Sequence, residues 1–371
     1  MNVALAAGLA WWPQLAGAAA DDAGSIFRGD QGLRGAVPGA LPAALELRWT
    51  FKTGGAIKSS AVLAGGSVFI GSDDGQVYAL AAATGQKRWA FKTGDAVEAS
   101  PLVLDGVVFV GSSDSQLYAL DAATGALKWK YKTGDKILGG ANWFRSTVPP
   151  ALRIIVGSYD FKVHCVDAAT GQPVWTFETS NYVNGTPAVA AGRVVFGGCD
   201  GLLHLLDAIT GKETAAVEAG AYIAGSPAVD GNLAFAGHIG EEVLCVDLAA
   251  AKIRWRSKVP NAPFFSSPAV TGQDVLIGGR DKRLYCLDRA TGRTRWTFAA
   301  RGNVDSSPVV CGDRVVFGAD DGRLYVVRLD TGKAVWSTEL GRELTASPAA
   351  AGGWVVIGSQ DGAVYAFGPK K

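Results

Sequence analysis

One unit of about 40 residues recurs eight times along the chain, and no other feature restricts the fold so tightly. Each copy reads as a Ser-Pro segment, an apolar run ending in glycine, an Asp-Gly-like turn, a second apolar run, a Thr-Gly turn and a strand carrying tryptophan. The central part stands as GSDDGQVYAL from Gly71, GSSDSQLYAL from Gly111, GSYDFKVHCV from Gly157 and GGCDGLLHLL from Gly197. It continues as GHIGEEVLCV from Gly237, GGRDKRLYCL from Gly278, GADDGRLYVV from Gly318 and GSQDGAVYAF from Gly358. Successive copies lie 40 or 41 residues apart except for one step of 46. The tryptophans agree at Trp49, Trp89, Trp129, Trp175, Trp255, Trp296 and Trp336, and the missing one falls at Ala215.

Four β segments per unit at this period describe an all-β, eight-bladed β-propeller of four-stranded antiparallel blades, because each sheet buries both faces only against its neighbours. Residue type orders the strands. Proline cannot donate to a ladder, so the strand with Pro101, Pro187, Pro227, Pro268, Pro308 and Pro348 is one edge, and its small neighbours suit the crowded axis. The two apolar runs are central strands covered on both faces. The tryptophan strand alternates charged and apolar residues, as in Arg48-Trp49-Thr50-Phe51-Lys52, which places it at the outer rim. The last unit ends at Gly368 after its third strand, while Leu47 to Thr53 has no blade before it. The N-terminal strand is therefore expected to complete the eighth blade and close the ring, with residues 47–368 as the propeller, 21–46 as a leader and 369–371 as a tail.

The chain of 371 residues carries 35 Lys+Arg against 34 Asp+Glu, which removes the basic footprint of a nucleic-acid binder. Five cysteines, at 165, 199, 245, 286 and 311, show no C-x-x-C spacing, so neither a disulfide framework nor a zinc ribbon is indicated. Cys165, Cys245 and Cys286 occupy the slot filled elsewhere by Ala79, Ala119 and Ala366, which fits buried thiols. Residues 1–20 read as an export signal: Val3 to Trp12 is apolar and Ala18-Ala19-Ala20 offers small residues for cleavage before Asp21. No Lys or Arg precedes Arg28, however, so a misplaced start codon or a short buried segment is the competing reading. No other apolar run is long enough to span a membrane, and no cysteine near the cleavage site could accept a lipid. A periplasmic or otherwise exported monomer is expected.

With its TGxxxW units, Ser-Pro strands and GSxDGxLYALD runs, the chain resembles the pyrroloquinoline-quinone-like eight-bladed propellers over about residues 48 to 368. FRGDQGLRG, residues 27 to 35, is similar to the short leader ahead of many exported bacterial members. The single-domain size is similar to that of the BamB branch of the superfamily, scaffolds of outer-membrane assembly, whereas its quinoprotein dehydrogenases are longer. The resemblance implies the fold strongly and the function weakly. It implies a second class as well, a quinone-dependent dehydrogenase or the remnant of one, with pyrroloquinoline quinone and calcium. Family dehydrogenases typically hold adjacent cysteines in a disulfide ring; this sequence has no adjacent pair, and its blades carry almost no insertions that could build a deep pocket.

Motifs of chemistry are scarce. The pairs Asp74-Gly75, Asp200-Gly201, Asp321-Gly322 and Asp361-Gly362 read as hairpin turns, since Asp-Gly supplies positive φ angles and the spacing of a calcium loop is absent. His164 and His204 replace the tyrosine of the LYALD strand, and His238 sits in the turn of blade five. No hydrolase elbow, zincin, Walker or dinucleotide motif occurs, so no catalytic or metal-ligating residue is assigned.

The departures from the repeat carry the functional reading, because shared positions maintain the ring and variable ones are free to meet a partner. Two residues before each Ser-Pro serine or its equivalent stand Lys58, Glu98, Leu138, Asn184, Ala224, Phe265, Asp305 and Thr345. This slot should ring the channel mouth, where Lys58, Glu98, Asn184, Phe265 and Asp305 could hold a small polar ligand or a peptide; the plain alternative is a solvated rim. Tyr182, Tyr222, Phe264 and Phe265 form an aromatic set in the crossings of blades four to six, available for partner contact or for packing. The longer step comes from an insertion in blade three, Ala141 to Arg153, whose Trp143, Phe144, Arg145 and Pro149-Pro150 could form a docking protrusion on the opposite face or merely cap the blade. The expected function is a non-catalytic binding or scaffolding module for envelope proteins or peptides, with no resident cofactor; a ligand-sensing propeller is the third class.

Overall fold

Burial sorts the four strands of each unit as their sequences require. In the first blade the inner strand Val62–Ala64 and the two apolar runs Ser67–Ser72 and Gln76–Ala81 are nearly all buried, while the tryptophan strand Lys87–Lys92 is largely exposed. The computed structural model describes residues 25–42 and 44–369. These form eight antiparallel sheets in the inner-to-outer order that the prolines and tryptophans indicate. No helix among the described residues is long and apolar enough to cross a membrane. The segment read as an export signal lies outside the described residues, as do the last two residues of the tail.

Closure is as expected. Leu45–Lys52 pairs antiparallel with Ala363–Pro369 and becomes the outer strand of the eighth blade, with Trp49 opposite Ala366.

The Ser-Pro motif does more than keep the axis uncrowded. Its hydroxyl accepts the backbone N–H of the preceding blade: Gly140 donates to Thr186, Thr186 to Ser226, Ser226 to Ser267, Ser267 to Ser307, Ser307 to Ser347 and Ser347 to Ser60, all at 2.8–3.0 Å. These bonds stitch the inner strands from blade three round to blade one, six links of the circle.

The tryptophans stitch the outer rim. Trp49 Nε1 donates to the carbonyl of Ala82 in the next blade at 2.8 Å, and its indole lies on Gly85 of the Thr-Gly turn, where an added Cβ would come within 2.6 Å of Cδ2. Trp89 and Gly125, Trp129 and Gly171, and Trp296 and Gly332 repeat the pair. The exception explains itself: where tryptophan is missing at Ala215, the next blade has Ala251, at φ 50°, in place of the turn glycine. Knob and seat are absent together. Ala215→Trp alone should gain nothing, because the Ala251 methyl occupies the seat, whereas Ala215→Trp with Ala251→Gly should exceed the sum of the single changes by about 1–3 kcal/mol. A double-mutant cycle in urea measures this directly.

The leader is the largest departure from the sequence reading, which gave it no place in the ring. Residues 25–37 run across the axis, and inner-strand amides of Val103, Val189, Val229, Val270 and Val310 donate to the carbonyls of Ser25, Gln31, Gly32, Arg34 and Gly35 at 2.7–2.8 Å. Ala36–Val37 then adds a parallel fifth strand to blade seven. Inner strands are sheet edges with unpaired amides, and the leader satisfies them. Leu33 is fully buried and Arg28 is only 5% exposed. The Arg28 guanidinium donates to the carbonyls of Leu33, Pro308 and Pro268. The axis is therefore closed on the Thr-Gly face, leaving a cup that opens only among the crossings.

The blade-three insertion is a lengthened hairpin, Asn142–Thr147 against Pro150–Gly157, in regular register. It receives the leader: Asn142 Nδ2 donates to the Gln31 carbonyl and Gln31 Nε2 to the Trp143 carbonyl.

Candidate functional site

Each crossing carries the chain from an outer strand to the next inner strand on the face of the Asp-Gly turns, so that face is built from eight similar loops. In four blades the turn aspartate, Asp74, Asp114, Asp160 or Asp321, accepts an amide of the incoming crossing. Asp74 accepts from the Gln76 amide, the Tyr78 hydroxyl at 2.7 Å and the incoming Gly54 amide at 2.7 Å, tying turn, strand and crossing together. Asp114 repeats the set with Tyr118 and Gly94. These carboxylates are engaged as turn and crossing ties, which is the structural role their spacing indicates.

His164 and His204 keep the tyrosine's bond, to Asp160 at 3.0 Å and to Asp200 at 2.9 Å. His204 is buried and also meets Glu213 at 2.6 Å. Burial pulls its pKa down, but the two carboxylates outweigh burial and hold it above the ordinary histidine value. His238, opposed by burial with only Glu242 near at 3.3 Å, shifts the other way. A raised folded-state pKa contributes stability that is complete below the unfolded value and is lost as pH rises through the folded one. Wild-type protein should therefore lose stability as pH rises above about 6.5, and His204→Tyr should flatten that part of the profile, as read by melting across pH.

The residues of the predicted mouth slot lie in the crossings, where Lys58, Asn184, Phe265, Asp305 and Thr345 meet a second ring that the sequence reading did not isolate. That ring is the variable residue of the GSxDG motif: Asp73, Ser113, Tyr159, Cys199, Ile239, Arg280, Asp320 and Gln360. Each backbone N–H in it donates to a crossing carbonyl, as Asp73 does to Ala56 and Arg280 to Pro263. Lys58 lies 3.0 Å from both Asp73 and Glu98, bridging blades one and two. Arg280 forks onto Asp305 at 2.7 and 3.0 Å, and its guanidinium covers the Phe265 ring at 3.4 Å. Burial and neighbouring Asp305 push the Asp320 carboxyl above its ordinary range. Asn184 Nδ2 donates to Cys199 Sγ at 3.2 Å, and burial raises that thiol's pKa. Thr345 accepts from Gln360 at 3.3 Å.

The aromatic set divides. Tyr182 and Tyr222 are 40% and 48% exposed, whereas Phe264 is fully buried, edge-on to Tyr285, and belongs to the core. The expectation of a contact residue at Phe264 is thereby corrected: the apolar interior between blades five and six takes it. In its place the structure adds Tyr159, stacked on Tyr182 at 4.5 Å, and exposed Phe161, edge-on at 5.1 Å. Lys136 lies over the Tyr159 ring at 4.6 Å. The result is a continuous patch over blades three and four, with exposed Tyr222 in the following crossing.

On the opposite face the insertion is not a free protrusion. Phe144 is 8% exposed and packs in the core between blades three and four, so it is corrected from contact to core residue. Trp143 is half-buried beside the leader, and Arg145 is exposed, 3.1 Å from Asp105 and near the Trp143 ring. A cleft of about 320 Å³ lies elsewhere on that face, between blades five and six, lined by Trp255, Arg254, Arg289 and Arg295 among others.

With this geometry in view, the comparisons with known proteins agree on architecture. The family described as outer membrane protein assembly factor BamB matches residues 42–158, 142–214 and 199–368. Among solved structures, BamB from Moraxella catarrhalis superposes with a TM-score of 0.75 at 20% identity, covering 88% of this chain and 98% of that one. Quinohemoprotein alcohol dehydrogenase from Comamonas testosteroni gives 0.81 at 15% identity, covering 96% of this chain and 82% of that one. The computationally designed Ika8 protein gives 0.76 at 19% identity, covering 85% and 97%. At these identities the likeness is one of fold. No curated protein matches the sequence significantly.

Proposed function

Since the chain belongs to the family described as outer membrane protein assembly factor BamB, we propose that it is a non-catalytic scaffold of the cell envelope that binds a protein partner on the face of the crossings. The observation that carries this reading is the aromatic cluster of exposed Phe161 and Tyr182 on half-buried Tyr159, with exposed Tyr222 in the next crossing, held on a rigid ring. Tyrosine and phenylalanine supply contact area at low entropic cost, and clustered exposed rings are what a partner surface requires.

The donor set at the mouth supports this reading over quinone catalysis. Pyrroloquinoline quinone is a planar tricarboxylate and needs free cationic donors. The cations of the two mouth rings, Lys58 and Arg280, are committed to Asp73, Glu98 and Asp305, and Asp320 adds a further carboxyl. These residues do not fit the cofactor, and no step is derived through it.

The test is site-specific photo-crosslinking in living bacteria, with the photoreactive side chain at Tyr182 or Tyr222 and, as control, at Thr124 on the opposite face. Crosslinks from Tyr182 and Tyr222 to a protein of outer-membrane assembly, lost in Tyr159→Ala/Tyr182→Ala, are expected. Crosslinks from Thr124 alone, or none at all, would overturn the assignment. Melting with pyrroloquinoline quinone and calcium should show no saturable shift; a shift would return the dehydrogenase reading.

A further inference from the structure

The hydroxyl circle and the leader arginine meet on the axis, and the donors left over there are all of one kind. Arg28 is buried, and among the described residues no carboxylate forms an ion pair with it; nearby Asp30 is held by Arg34 at 2.7 Å. A guanidinium carries five N–H groups, of which three are taken by carbonyls here. Two N–H groups and a full positive charge remain, in a place where an unpaired charge is costly. Burial pushes the Arg28 pKa down to about 9, against a weaker opposing pull from the Asp30 carboxylate.

Ser60 and Ser347 each accept a backbone amide through Oγ, and among the described residues neither hydroxyl donates to a protein acceptor. Ser60, Ser347 and Arg28 are among the residues that line a cavity of about 20 Å³ between blades eight and one, walled by Ile26, Phe27 and Val309. A space of this size holds about one water-sized particle. The position matters as much as the chemistry. Hydrogen bonds from residues 25–37 reach blades two to seven, through the inner-strand amides, Arg28 and the Gln31–Asn142 pair. Among the described residues, no hydrogen bond of these leader side chains and inner-strand amides goes to blades one and eight, which contribute Ser60 and Ser347.

We propose that this cavity binds one monatomic anion of halide size, held by the Arg28 guanidinium and the hydroxyls of Ser60 and Ser347. A water molecule would use the donors but leave the charge uncompensated, and a cation would oppose it. A polyatomic anion such as sulfate exceeds the space. The anion joins the leader to the two blades that its own hydrogen bonds do not reach, so the plug becomes continuous around the axis.

The test uses the whole chain in two measurements. Crystals soaked in bromide should show an anomalous peak within hydrogen-bond distance of an Arg28 Nη atom and the two serine hydroxyls. In solution at fixed ionic strength, replacing gluconate by chloride should raise the melting temperature saturably. Ser60→Ala/Ser347→Ala keeps the arginine and its three carbonyl bonds, and should weaken the apparent halide affinity at least about tenfold. The readout is the halide dependence, so a general loss of stability in that variant does not obscure it. Absence of the bromide peak overturns the proposal. A peak without any chloride dependence in solution is binding at crystal concentration only, and overturns it too. An unaltered halide response in the double variant places the effect elsewhere.

Discussion

A chain lacking Leu45–Thr53 is expected to melt far below the intact protein and to self-associate through its eighth blade. The closing strand supplies every outer-strand hydrogen bond of that blade, and Trp49, 7% exposed, seats on the first Thr-Gly turn. Losing the indole alone, as in Trp49→Ala, should cost about 3–5 kcal/mol. Losing the strand also bares the edge of Ala363–Pro369, and an unpaired flat edge recruits other chains. Calorimetry and size-exclusion chromatography read the two effects. A synthetic peptide spanning residues 44–54 should restore both the melting temperature and the monomer. An unchanged transition in the truncated chain would mean that the blades stand without closure.

The second large effect lies in the leader. Gly35 has φ +62°, and a Cβ placed on it would fall within the Arg28 guanidinium. Gly35→Val combines a disfavoured backbone conformation with expulsion of a buried, triply bonded arginine. A loss of about 3 kcal/mol or more is expected in urea unfolding, from overpacking and the orphaned carbonyls together. Gly39, at φ +97° with no atom near its Cβ position, is the control: Gly39→Ala carries the backbone cost alone and should lose about 1–2 kcal/mol. Equal losses at the two sites would show that the arginine contributes nothing to the ring.

The ring was legible because its signals are repeated. Eight prolines or their equivalents, eight turn sequences and seven tryptophans vote on the same strand order, and the pairing follows them. The plug was not legible, because FRGDQGLRG occurs once and its partners are backbone amides of residues up to 275 positions away, as for Val310 with Gly35. Backbone acceptors leave no mark in a side-chain pattern. The mouth was half legible: Lys58, Glu98 and Asp305 were found at the slot before the Ser-Pro motif, but their partners Asp73 and Arg280 sit at the variable place inside GSxDG. That variability was the available signal. Phe264 and Phe265 show the limit of spacing: adjacent in sequence, one is core and the other lies under Arg280 at the rim.

The closing strand also sets an order of events during synthesis. Leu45 pairs with Pro369, so a strand made ahead of all eight blades must wait for the last strand of the ring. A growing chain can stack blades as they emerge, but it holds an unsatisfied strand and a bare sheet edge until Ala363–Pro369 has emerged, and such non-local pairing is slow. A prematurely terminated chain lacks Ala363–Pro369 and has nothing for Leu45–Lys52 to join. The joint thus acts as a proofreading step, because only a chain made through Ala363–Pro369 can close the eighth blade and leave no open sheet edge for a protease or an aggregate to seize.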